Sequence, residues 1–186
     1  MLRECVMRIL LSVAVILVVS FCCRAGDDVG VGENKELVIA GHVSVPVPDS
    51  SWDWYVGNTI VKEGMKISVY WCQSKNGGPK IVLLVFHERL KDDKKKFAKE
   101  FVDVCVGKAK KEGFKLEDNK MEEKDAPWKG SLHYSGVLRK GDTTIYLRGV
   151  LAFGKAIYAL QYQGPDKSFD FFDKVSKGMR LLSKGE

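Results

Sequence analysis

Side chains able to do acid-base or nucleophilic chemistry are few and scattered in this sequence. The three histidines, His42, His87 and His133, lie far apart, and no pair has the close spacing of helical zinc ligands such as H-E-x-x-H. No G-x-S-x-G, P-loop or G-x-G-x-x-G is present, and Gly77-Gly78 runs into Pro79, a turn rather than the start of a phosphate-cradling helix. His87-Glu88 ends an apolar run and offers one acid-base pair. Together with His133 it defines the enzymatic alternative, a small hydrolase-like site near His87, Glu88 and His133. A polar exit from a strand accounts for His87-Glu88 with fewer assumptions. Cys72 and His133 have the right types for a nucleophile and its base, but nothing in the sequence brings them together. The chain therefore reads as noncatalytic, with no metal site and no cofactor.

Of five cysteines, Cys5, Cys22 and Cys23 belong to an N-terminal leader or its junction, which leaves Cys72 and Cys105 in the body of the protein. A bridge between them would contribute on the order of 3 kcal/mol in the chain-entropy model. The simpler expectation is two small buried hydrophobes that do not need each other, with Cys105 on the apolar stripe of a helix. Among the aromatics, Trp52 is expected to fold back on the core. Trp128, in the loop Asp125-Ala126-Pro127-Trp128-Lys129, has charged and turn-forming neighbours and is the candidate binding residue. A desolvated Trp can supply a hot spot of about 2 kcal/mol or more, whereas exposed lysines contribute little and are screened by salt. The lysine-rich face that includes Lys94, Lys95 and Lys96 is accordingly the weaker binding candidate.

The elements that must position these groups begin after an export signal. Arg3 and Arg8 precede the uncharged 13-residue run Ile9 to Phe21, too short to span a bilayer comfortably and right for the core of a signal peptide. Residues 1–25 form this leader, or an uncleaved anchor, and the mature chain is expected to start between Cys22 and Gly26. Cys22 and Cys23 are lipidation candidates, although neither follows the Gly, Ala or Ser that a lipoprotein signal wants. Membrane association through an N-terminal lipid or the retained leader follows from this reading. Residues 26–36 read as a flexible linker and 37–184 as one domain. The formal charge is +6, from 30 Lys and Arg against 24 Asp and Glu; without Arg3, Arg8, Arg24 and Glu4 it is 27 against 23. So mild an excess argues against nucleic acid as a partner and leaves an envelope protein or a small ligand.

Within the domain, His42 to Pro48 alternates but carries Pro46 and Pro48, as an edge or entry strand does. Thr59 to Glu63 and Lys66 to Cys72 follow as short strands, and Ile81 to Phe86 is apolar on both faces like a covered central strand. From Lys91 to Gly113 the period changes to a helical one, with Phe97, Phe101, Cys105 and Ala109 at i+4 steps and Gly113 as a stop. Leu116 to Gly130 reads as a mixed-charge loop. Ser131 to Leu138, Thr143 to Ala152 and Ala156 to Gln163 form a meander, and a second helix from Pro165 carries Phe169, Phe172, Val175, Met179 and Leu182. The expected class is α+β, a mainly antiparallel sheet sandwiched by helices.

Three features resemble the PsbP-like superfamily, including its DcrB-like bacterial envelope members. They are Val45-Pro46-Val47-Pro48 leading to Trp52, the buried strand before a mid-chain helix, and Ala156-Ile157-Tyr158-Ala159-Leu160 followed by Phe169, Phe172 and Met179. The resemblance spans roughly residues 37 to 184. It implies a helix-sandwiched antiparallel sheet and an accessory or binding role in an exported protein, and it brings no catalytic signature to any residue here.

Overall fold

The structure, a computed structural model, describes residues 36–39, 43–62, 65–75, 80–87, 93–165, 167 and 169–182. The leader at 1–25 with Cys22 and Cys23, nearly all of the 26–36 linker, His42 and Glu88 lie outside the described residues. Among the described residues ten strands and two helices follow in the order β1 (Leu37–Ile39), β2 (Val43–Val45), β3 (Trp52–Lys62), β4 (Met65–Ser74), β5 (Lys80–Phe86), α1 (Lys94–Lys111), β6 (Lys115–Lys124), β7 (Ser131–Lys140), β8 (Thr143–Phe153), β9 (Ile157–Gly164), α2 (Asp170–Gly178) and β10 (Arg180–Leu181). A seven-stranded antiparallel sheet runs β3-β4-β5-β9-β8-β7-β6, and a separate three-stranded sheet runs β1-β2-β10.

Each face of the large sheet has its own cover. Helix α1 lays Phe97, Ala98, Phe101 and Val102 on Ile67, Leu84, Phe86, Leu132, Leu151 and Ala159. Those positions recur at the 3.6 period, so burying them fixes the roll of the helix. A fully buried side chain such as Phe101 is worth about 1.5–3 kcal/mol by transfer alone. The opposite face carries Ile81, Leu83, Val150, Leu160 and Tyr162 against Leu37, Val43 and Val45 of the small sheet and Phe172, Val175 and Met179 at α2. Because both faces are covered, β5 and β9 are apolar on consecutive residues rather than alternately. Helix α1 is capped at Glu112, and Gly113 follows at φ +92°, the left-handed conformation that glycine adopts without strain at this position.

The expected α+β sandwich is corrected by these elements. Strand makes up 57% of the described residues and helix 21%, so the molecule is β-rich and built on a seven-stranded sheet, not a sheet sandwiched by helices. The second face shows one reason. Three strands of two or three residues close a second sheet over it, leaving a nine-residue helix to finish the cover. The other reason is that most of the segment read as a loop, Lys115–Lys124, is the edge strand β6. A bulge between Glu117 and Lys120, with Asp118 at φ 49°, breaks its alternation, and only Leu116 and Met121 turn toward apolar neighbours. The second helix also stops earlier than its apolar stripe suggests, and Arg180–Leu181 pairs with β2 as a strand.

Candidate functional site

The two described histidines occupy different places and have different partners. His87 follows β5, and its Nε2 lies 2.8 Å from Ser68 Oγ on β4, which is itself 3.2 Å from Thr59 Oγ1 on β3. Partial burial, and then the neighbouring Lys66 charge, hold its imidazole below the ordinary histidine value. His133 stands on β7 with Nε2 2.5 Å from the carbonyl oxygen of Ala126. Burial lowers its pKa, while the Ala126 carbonyl works in the other direction. Following the register, His133 lies opposite Val150, then Leu160, then Leu83. His87 is therefore three strands away, about 14 Å at roughly 4.8 Å per strand, and four residues or roughly 13 Å further along. The sheet holds the two histidines apart.

The thiols are equally separate. Cys72 is buried in the core beneath the small sheet, and its thiol is pushed up to about 12 by burial and then by Asp53 and Asp49. Cys105 flanks the apolar stripe of α1 on the opposite face of the sheet, and both thiols are free. Its Sγ donates to Gln161 Oε1 at 3.2 Å, and Tyr134 Oη donates to the same oxygen at 3.2 Å. Burial pushes the Cys105 thiol up to about 12 and raises Tyr134 well above the ordinary phenol. Such a thiol stays protonated at neutral pH and is a poor nucleophile. Ser68 and His87 are the one described pair with the types and separation of a nucleophile and base, and no carboxylate among the described residues is bonded to that imidazole. Among the described residues no group of three or more His, Cys, Asp or Glu could hold a metal ion.

The tryptophans divide in the same way. Trp52 stacks on Phe171 at 5.3 Å, and Trp54 donates Nε1 to the Pro46 carbonyl at 3.2 Å, so both rings are buried in the core and Trp54 ties the proline run to it. Trp128 is half-buried. Its ring meets Tyr158 edge-on with centroids 5.6 Å apart, its Nε1 donates to the Phe153 carbonyl at 3.0 Å, and its own carbonyl accepts from Ser131 Oγ at 2.7 Å.

The ring of Phe153, on the other face of the sheet, lies under the ammonium of Lys94, which is 5.2 Å from its centroid. Gly130, at φ +76°, keeps that approach open: a Cβ there would stand 2.9 Å from Lys94 Nζ. The start of α1, the Trp128 loop and the β8–β9 turn thus form one end of the molecule. Sequence reasoning set Trp128 and Lys94–Lys96 against each other as alternatives, and the structure makes them neighbours. Phe153 is the link that reasoning missed, because it sits next to a turn and reads as punctuation. In comparisons with known proteins, no family model and no curated protein matches the chain.

Proposed function

We propose that the protein is an exported accessory or binding protein of the cell envelope, without catalytic activity, whose partner is an envelope protein or a small ligand. The observation that carries this reading is the dispersal of the reactive groups. Each described histidine is spent on a local bond, to Ser68 or to the Ala126 carbonyl, and the two described thiols lie on opposite faces of the sheet. General acid-base or nucleophilic catalysis needs such groups within reach of one reacting atom. The leader-like sequence at 1–25 and the resemblance to envelope members of the PsbP-like superfamily point the same way. Fractionation of the native host with intact-mass analysis tests it. The expected result is an envelope fraction lacking residues 1–21, with or without acyl mass on Cys22 or Cys23, that retains a partner through purification. A cytoplasmic chain with residues 1–21 intact would overturn it.

A second reading, a small hydrolase with its site at His87, draws on the 2.8 Å Ser68–His87 contact. On that reading a neutral imidazole takes the serine proton as the hydroxyl attacks. Turnover of short chromogenic esters that disappears in Ser68→Ala would favour it over the binding role, and rates equal to buffer would dismiss it.

A further inference from the structure

The end of the molecule where α1 begins carries more positive charge than its local structure uses. Lys94, Lys95, Lys96, Lys129 and Lys155 are all exposed there, against the carboxylates of Asp93, Glu123 and Asp125. Asp93 is already engaged as the helix cap, its Oδ1 accepting from the amides of Lys95 and Lys96 at 2.7 and 3.4 Å. The amides of Lys95 and Lys96 are therefore occupied, and the patch is one of side chains. Among the described residues none of Lys94, Lys95 and Lys96 has a carboxylate within 4.0 Å. Beside them lie two half-buried aromatics, Phe153 under the Lys94 ammonium and Trp128 bonded to its carbonyl.

We propose that this basic and aromatic end is a second membrane contact, by which the protein lies against an anionic lipid surface. The inference rests on the exported, membrane-associated reading above. A single acyl chain holds a protein to a bilayer only marginally and reversibly, and a polybasic patch is one common second signal. The charge complementarity is direct, since each Lys near an anionic surface adds to the attraction and long lysine stems reach past aromatic rings to the headgroups. Trp is the aromatic that favours that depth. A nucleic acid fits less well, because the excess charge of the whole chain is small.

The test uses the full chain with vesicles of neutral phosphatidylcholine and with vesicles containing phosphatidylglycerol, at low and high salt. Retention on neutral vesicles reports the leader or its lipid, and the ratio of anionic to neutral binding reports the patch. In the triple variant Lys94→Glu, Lys95→Glu, Lys96→Glu the ratio is expected to fall at least about tenfold. The variant Lys108→Glu, Lys110→Glu, Lys111→Glu, with the same change of charge at the far end of the helix, is expected to keep it within about twofold. Equal loss in both variants would reduce the effect to net charge and overturn the patch. A wild-type chain with no anionic preference would also overturn it, whether or not an acidic protein is captured instead. A protein absent from neutral vesicles and found in the cytoplasm would sink the export reading, while the ratio would still judge the patch.

Discussion

The two ends of α1 carry lysine in equal number and for different reasons. At its C-terminal end Lys108, Lys110 and Lys111 lie where the helix macrodipole favours cations, and Lys108 and Lys110 have carboxylates nearby, Glu112 at 3.9 Å and Asp103 at 3.1 Å. At the N-terminal end Lys94, Lys95 and Lys96 fill the first turn, which holds no acid, so all three oppose the dipole. The difference teaches that the first set is explained by helix stability and the second is not. Charge kept where it costs stability points to work done outside the fold.

The strongest challenge to the comparison is to remove the rigid body that joins the two ends. Phe101 is fully buried at the middle of α1, between Phe86, Phe97 and Tyr134. Phe101→Ala is expected to cost about 3–5 kcal/mol in chemical denaturation and to loosen both ends together. A loss below about 1 kcal/mol would mean that α1 does not need its sheet contact.

The cap comes next. Asp93 supplies the side-chain cap of α1, so Asp93→Ala should lower stability by about 1 kcal/mol, read as a shift of the denaturation midpoint. An unchanged midpoint would remove the electrostatic account of that end.

Reversing the lysines separates the ends by sign. Glutamate at 94, 95 and 96 should raise stability by about 1 kcal/mol, and glutamate at 108, 110 and 111 should lower it by a similar amount, both effects shrinking with added salt. Changes of the same sign would show that the dipole is not what distinguishes the ends.

The smallest effect concerns the loop that bears Trp128. His133 is held below the unfolded histidine value of 6.5, chiefly by burial, and it anchors that loop through Ala126. A depressed histidine contributes stability that is present above the unfolded value and is lost as pH falls through the folded one. Stability should therefore decline as pH drops below about 6.5, and His133→Gln should flatten that decline. An equally steep slope in the variant would assign the pH dependence to other groups.

Much of this arrangement can be read from the residues, and the remainder has physical causes. The period of Phe97, Phe101 and Ala109 announces α1, and Lys140-Gly141-Asp142 and Phe153-Gly154-Lys155 announce the turns between β7, β8 and β9. Strand β6 was hidden because a bulged edge strand with charged side chains has the composition of a loop. The β-rich class is not legible because β1, β2 and β10 are too short for periodicity to register. Cys105 sits one step off the stripe it was assigned to, beside Val106, which takes the buried position. At the candidate site, Trp128 was legible as an aromatic in a charged loop. Its union with Lys94 was not, since it depends on the pairing of β8 with β9 to carry Phe153 beneath the helix start.

The central claim is that the basic end of α1 serves a surface rather than the fold, and one experiment measures both quantities on one protein. For the variant Lys94→Glu, Lys95→Glu, Lys96→Glu, denaturation and binding to phosphatidylglycerol vesicles are recorded side by side with the wild type. The account predicts opposite movements, a chain more stable by about 1 kcal/mol that has lost its preference for the anionic surface. A variant that is less stable, or one that keeps the anionic preference of the wild type, would contradict it.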